Sequence, residues 1–239
     1  KHPAMTTDEV MQQLESFGNE SIKNNLVKHG AREPFFGVKV EDLKKIQKKV
    51  KKDYTLSLEL FNTGNSDAMY LAGLIADPLQ MTRDDLNLWV RKAYWYMLSE
   101  FTVAWVAAES RYGTELALQW IESDQENIAC SGWSTLASIA SIKPDHEIDM
   151  ALYQGLLERI SKTIHTERNR VRHTMNNFVI TVGGYCTQLT DEASKVAAAI
   201  GKVKVDMNGT ACKVPLATEY IQKMHKRGTL GKKRKTAFC

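Results

Sequence analysis

Glu167-Arg-Asn-Arg-Val-Arg-His-Thr-Met-Asn-Asn-Phe-Val-Ile-Thr-Val-Gly-Gly-Tyr185 is the stretch whose reading decides the fold. Met175, Phe178, Val179 and Val182 recur at helical spacing and define a core-facing side. Arg168, Arg172, His173, Asn176 and Asn177 fall on the other side, where long cationic and amide side chains can meet a ligand or simply face solvent. Gly183-Gly184 reads as a C-cap after the helix.

The same grammar of helix, short break and helix runs outward in both directions. Thr7-Asp8 caps a helix with Val10, Leu14 and Phe17 inward, and Ile22 and Leu26 mark a second that ends near Gly30. Val40–Val50 turns Leu43, Ile46 and Val50 inward and its lysines outward. Leu56–Phe61, Asp67–Ala76 and a Thr82-capped helix to about Tyr94 follow. Ser99 or Glu100 opens the next helix, then come Leu116–Ile121, Asn127–Ile142 and His146–Ile164. Beyond the opening stretch, Glu192–Ile200 and Val214–His225 complete the series. No alternating β-branched run with a tight turn interrupts it. The pattern predicts an all-α, superhelical stack of helical hairpins, an α-solenoid, forming one domain over residues 5–239. Met5 reads as a native start, with residues 1–4 left over from expression.

Composition narrows the function. Hydrophobic residues at 43% and charged residues at 25% are ordinary for a water-soluble protein, and no run of about 18 apolar residues suggests a membrane helix. Cys130, Cys186, Cys212 and Cys239 are scattered, with no zinc spacing, which points to a reducing cytoplasm. Net charge is +4, but seven basic residues, Lys223, Lys226, Arg227, Lys232, Lys233, Arg234 and Lys235, crowd the C-terminus. A second lysine-rich block lies at 39–52. Clustered basic charge suits a polyanion. There is no phosphate-binding Gly-rich loop, no Gly-x-Ser-x-Gly and no His-Glu-x-x-His, which disfavours nucleotide-dependent enzymes and zinc hydrolases. Trp89, Trp105 and Trp120 sit on apolar stripes and read as core. Trp95 and Trp133, near helix ends, could stack on a sugar or base.

Phe36-Gly37-Val38-Lys39-Val40-Glu41-Asp42-Leu43-Lys44-Lys45-Ile46, Asn62–Pro78, Arg172–Gly183 and Lys204–Pro215 together resemble the AlkD-like DNA alkylation repair proteins. The resemblance implies HEAT-like hairpins with a basic concave groove that grips double-stranded DNA, intact or alkylated. It also implies release of positively charged alkylated purines by active members, without metal or cofactor. In that family an aspartate stabilises charge at the reacting sugar, two tryptophans pack on the lesion's backbone and an arginine holds phosphate. The family's Trp-x-x-x-Asp falls on Trp95-Tyr96-Met97-Leu98-Ser99, so Ser99 replaces the aspartate and Glu100 is the nearest carboxylate. The second groove tryptophan falls near Asn177, and the arginine pair near Ala129 and Cys130.

The expected site therefore comprises Glu100 as the catalytic candidate. Its DNA contacts are Trp95, Ser99, Trp133, Arg170, Arg172, His173, Asn177, Lys232, Lys233 and Arg234. The expected protein is a cytoplasmic, nucleoid-associated monomer that needs no cofactor and touches no membrane. Two alternatives stay open: a glycosylase in which Glu100 replaces the aspartate, and a non-catalytic scaffold for protein partners.

Overall fold

The computed structural model describes residues 4–239, so the reading of residues 1–4 as an expression leftover falls, for residues 1–3, outside the described residues. The described residues form thirteen α-helices and no strand. They are α1 (Thr7–Phe17), α2 (Glu20–His29), α3 (Val40–Val50), α4 (Tyr54–Asn62), α5 (Ser66–Ile75), α6 (Arg83–Lys92) and α7 (Ala104–Glu109). After them come α8 (Gly113–Trp120), α9 (Glu126–Ile142), α10 (Met150–Thr163), α11 (Asn169–Tyr185), α12 (Thr190–Ile200) and α13 (Ala217–Lys226). A wide, π-type turn (Met97–Val103) runs directly into α7. None of these helices is long and apolar enough to cross a membrane.

Short polar side chains set six of the thirteen α-helix starts by accepting from orphan backbone N–H groups. Thr6 caps α1, Asn19 α2, Asp53 α4, Asn65 α5 and Asp149 α10, while Thr82 and Asp85 cap α6 reciprocally. Several expected starts move: the helix expected from Leu116 begins at Gly113, the one expected from Leu56 at Tyr54, and a π-type turn from Met97 takes up the start expected at Ser99 or Glu100. Thr6 rather than Thr7-Asp8 caps the first helix. The tenth helix begins at Met150 because Asp149, not His146, supplies the cap. The last begins at Ala217, three residues after Val214, where the Pro215 carbonyl instead accepts from Asn176 Nδ2 at 2.8 Å.

Inner helices stack in sequence: α3 on α5, α5 on the π-type turn, that turn and α7 on α9, α9 on α11, and α11 on α13. Outer helices α4, α8 and α12 each close a hairpin with an inner partner. Two apolar cores result, one built mainly from the chain up to α8 and one from α8 onward. Helix α9 belongs to both: Ile128 and Ile139 enter the first, and Ala129, Cys130, Trp133, Leu136 and Ala140 the second. Its small residues let neighbours approach closely.

Two features position the entry segment. The buried Asp67 carboxylate accepts from the backbone N–H groups of Phe36, Gly37 and Val38, an anion held in a backbone nest. Gly37 has φ +79°, and a Cβ there would sit 2.7 Å from Lys23 N and Asn19 O, so this turn requires glycine. Gly183 and Gly184 lie inside the last turn of α11 rather than capping it. A Cβ on Gly183 would meet Ile221 Cδ1 at 2.8 Å, so these glycines serve close packing against the final hairpin.

Gly132 does the same at the α8–α9 crossing, where an added Cβ would lie 2.7 Å from Ile121 N and 2.8 Å from Ala117 O. Those neighbours are backbone and cannot swing aside. Gly132→Ala is expected to destabilise the protein by about 1–3 kcal/mol, read as a lower urea midpoint at unchanged slope.

Candidate nucleic-acid interface

The N-terminal ends of the π-type turn, α9 and α11 converge on one side of the stack. Helix N-termini present unpaired N–H groups and partial positive charge, which favours anions. Here Glu126, in the first turn of α9, accepts from Arg170 N at 2.9 Å and so ties two of these ends together.

The π-type turn carries the central carboxylate. Its i→i+5 spacing takes one more residue per turn than an α-helix, which shifts the register between Trp95 and the following acid. Glu100, only 5% exposed, thereby meets Arg170. Arg170 Nη2 donates to Glu100 Oε1 at 2.7 Å and Nε to Oε2 at 2.9 Å. This fork-to-fork pair is the geometry in which a guanidinium binds a carboxylate best. Burial pushes the Glu100 carboxyl above its ordinary range, and Arg170 pulls it back. The Arg170 guanidinium also lies over the Tyr96 ring, 4.6 Å from its centroid. Tyr96 in turn hydrogen-bonds His29 Nδ1 at 2.8 Å.

Trp95, Ser99, Glu100 and Arg170 line one recess of about 330 Å³ together with His29, Tyr94, Tyr96, Glu126 and Asn127. Trp95 is buried but partly lines this wall, and its Nε1 donates to Ser66 Oγ at 3.0 Å. Ser99 is buried, its carbonyl accepting from Ser131 Oγ. Arg170 and His173 also line a neighbouring cleft of about 550 Å³ with Lys28, His29, Tyr96, Phe101, Lys213 and the loop of residues 206–212. Asn208 Nδ2 reaches the Lys28 carbonyl at 3.0 Å, so this loop spans the cleft.

Several expected contacts sit elsewhere. Trp133 is fully buried and edge-on to Phe178 in the second core, so its ring has no face to offer a sugar. Lys233 donates to the Ala140 carbonyl at 2.8 Å and pairs with Asp145 at 2.9 Å. Arg234 donates its backbone N–H to the Ser141 carbonyl at 2.8 Å and Nη2 to the Phe238 carbonyl at 3.1 Å. The Lys233 ammonium is thus spent at the C-terminal end of α9, opposite the recess, and the Arg234 guanidinium within the tail itself. Lys232 remains exposed beside them, on that same far side. Arg172 faces a third cleft, away from Glu100. Asn177 donates to His173 Nε2 at 3.3 Å. His173 is therefore a neutral acceptor: burial, and then Arg170, lower its pKa to about 4. It does not offer phosphate an imidazolium charge. Among the described residues no group of three or more His, Cys, Asp or Glu is arranged to hold a metal ion.

Sequence reading missed His29, Tyr96 and Glu126. His29 and Tyr96 are 67 residues apart in the chain, and nothing local to either signals their meeting. Glu126 at a helix start reads as an ordinary dipole partner.

Two consequences are measurable. Arg170→Ala strands a buried carboxylate and is expected to cost about 3–5 kcal/mol, whereas replacing both Glu100 and Arg170 by Met recovers most of that stability in urea unfolding. The depressed pKa of His173, about 4 against 6.5, means the unfolded chain takes up a proton the folded ring refuses. That contribution is whole above pH 6.5 and is lost as pH falls toward about 4, on the order of 3 kcal/mol in full. His173→Gln is expected to flatten stability across that window, read from urea midpoints between pH 7 and 4.

Comparison with known proteins places this geometry in a family. The model described as DNA alkylation repair enzyme matches residues 10–213. "Uncharacterized protein Lmo0209" of Listeria monocytogenes is 32% identical over 229 residues, covering 93% of this chain and 99% of its own. "Uncharacterized protein Lin0241" of Listeria innocua is 31% identical with the same coverage. A solved structure described under "A new family of proteins related to the HEAT-like repeat DNA glycosylases with affinity for branched DNA structures" superposes with a TM-score of 0.90 at 38% identity. It covers 98% of this chain and 100% of its own. The fold is therefore the HEAT-like α-solenoid, and the chain belongs to the DNA alkylation repair enzyme family.

Proposed function

We propose that residues 5–239 work as one helical-repeat domain, a monomer acting on the cytoplasmic nucleoid, that binds DNA without excising bases and prefers branched DNA to a plain duplex. The observation that carries this is the state of Glu100. A carboxylate that lowers the barrier to glycosidic cleavage must be free to face charge developing at the sugar. Glu100 is buried, and both its oxygens already accept from Arg170. Ser99 has no charge to lend. The DNA-facing groups in this reading are Arg170, whose guanidinium edge is partly exposed, with Lys28, Lys213, Tyr96 and the wall around Trp95. His173 and Asn177 serve as neutral neighbours that hold the floor of the cleft.

A protein-scaffold role is less well supported. The only large apolar side chains strongly exposed among the described residues are Val27, Leu79 and Tyr220, which lie on separate elements and form no continuous patch. The preference for branched DNA takes its support from the structural relative, which is described by affinity for branched DNA structures.

The test has two parts. Binding of a linear duplex and a four-way junction of equal strand length is measured across salt concentrations. Tighter binding to the junction is expected, with affinity falling steeply as salt rises, by about 0.9 in log-log slope per phosphate contacted. Single-turnover incubation with methylated DNA is expected to release no purine. Release at a rate abolished by Glu100→Gln would restore the glycosylase reading.

A further inference from the structure

We propose that the cleft formed by Arg172, Lys202, Lys204 and Lys213 is a second phosphodiester site, which holds another arm of nucleic acid on the far side of the 201–216 loop from the Glu100–Arg170 recess. The inference rests on the DNA-binding reading above and gives it a second contact surface.

The cleft has a volume of about 530 Å³ and lies between α11 and the 202–216 segment. Four cations line it, against one acid, Asp206. Lys202, Lys204 and Lys213 are exposed, and none of the three forms an ion pair among the described residues. This contrasts with Arg170, Lys233 and Arg159, each already matched to a carboxylate.

Arg172 gives the sharper signal. Its Nε–H is buried and has no hydrogen-bond partner. Among the described residues its side chain makes a single, long hydrogen bond, from Nη2 to Asn169 Oδ1 at 3.4 Å, and that oxygen already accepts from Asp206 N at 2.7 Å. A guanidinium edge that is desolvated yet unmatched is costly unless a ligand completes it. A phosphate oxygen suits it, because the planar fork of arginine binds such oxygens two at a time.

Placement makes this a second site rather than an extension of the first. Asp206 and Lys213 line both this cleft and the 550 Å³ cleft beside Arg170, so the loop forms a crest between them. Arg170 and Arg172 are two residues apart on α11, a separation that turns them to different sides of the helix. One duplex lying along the inner groove meets Arg170, and a backbone crossing the crest meets Arg172 and the lysines. Two arms diverging from a branch satisfy both at once, which is the effective-concentration gain of a bivalent contact.

The test compares wild type with a Lys202→Ala/Lys204→Ala double variant on a four-way junction and a linear duplex. Both positions are exposed, so folding is not at stake. Junction affinity is expected to fall about tenfold and its log-log salt slope to become shallower by about 1.8, while duplex affinity changes less than about twofold. Equal losses on both DNAs, or no loss on either, overturn the proposal. The side-chain Nε–H resonance of Arg172 supplies an independent reading during titration with a phosphodiester dinucleotide. A saturable shift in wild type supports the cleft as a phosphodiester site, and no shift overturns it. A wild type that shows no junction preference yet shows the Arg172 shift retires the branched-DNA reading and leaves the cleft standing.

Discussion

The bidentate pair between Glu100 and Arg170 is the contact on which the architecture around the recess turns. Glu100 rides on the π-type turn of the first core, and Arg170 begins α11 of the second. Their union bolts the two halves of the stack together at the mouth of the recess. A buried ion pair of this kind adds little net stability over an apolar substitute, because desolvation offsets most of the attraction. What it provides is a fixed geometry, with both carboxylate oxygens occupied by Arg170. The π-type turn is the local device that makes the meeting happen. An α-helical register would aim Ser99 where Glu100 now points. The wider turn brings Glu100, rather than Ser99, to the guanidinium of Arg170.

The polarity of the inner helices organises the rest. Their N-terminal ends, carrying partial positive charge, face the clefts, and their C-terminal ends face the opposite side. The basic tail is drawn to that second side. Gly231 N donates to the Gly184 carbonyl at the end of α11, and Lys233 and Arg234 meet the last carbonyls of α9. Further on, Thr236 and Ala237 bond Glu109 at the end of α7, and Ala237 and Phe238 enter the first core. The tail is thus a strap across three helix ends. Within it, the Lys233 ammonium answers an orphan carbonyl and Asp145 and the Arg234 guanidinium a tail carbonyl, while Lys232 and Lys235 stay exposed.

Much of this was legible in the sequence. Helix existence and order followed from apolar spacing and from caps such as Thr82, because those signals are local. Arg170 and Glu100 were both visible as candidates, but their pairing was not, since it joins residues 70 apart through a turn whose width no local pattern announces. Trp133 read as an indole free to stack on a sugar or base because it sits near a helix end beside Gly132 and Ser134. Those small residues in fact mark close helix packing around a buried ring. The lysine tail misled for a related reason: a cluster of like charges reads as solvated or phosphate-bound unless the carbonyl-rich ends it docks on are known.

These corrections sharpen where nucleic acid can be held. A cation already matched within the fold contributes less to phosphate binding than an unmatched one, since it shares its donors and charge with its own partner. Removing Lys233, Arg234 and the half-committed Arg170 from the count leaves Lys28, Arg172, Lys202, Lys204 and Lys213 as the unmatched positive charge near the clefts. Lys213 stands on the loop that parts the two clefts, with Lys28 on one flank and the other three on the opposite flank. A straight duplex running down one groove would leave half of that charge unanswered. A backbone that divides at the crest would answer all of it, so the distribution of unmatched cations favours a forked polyanion over a rod.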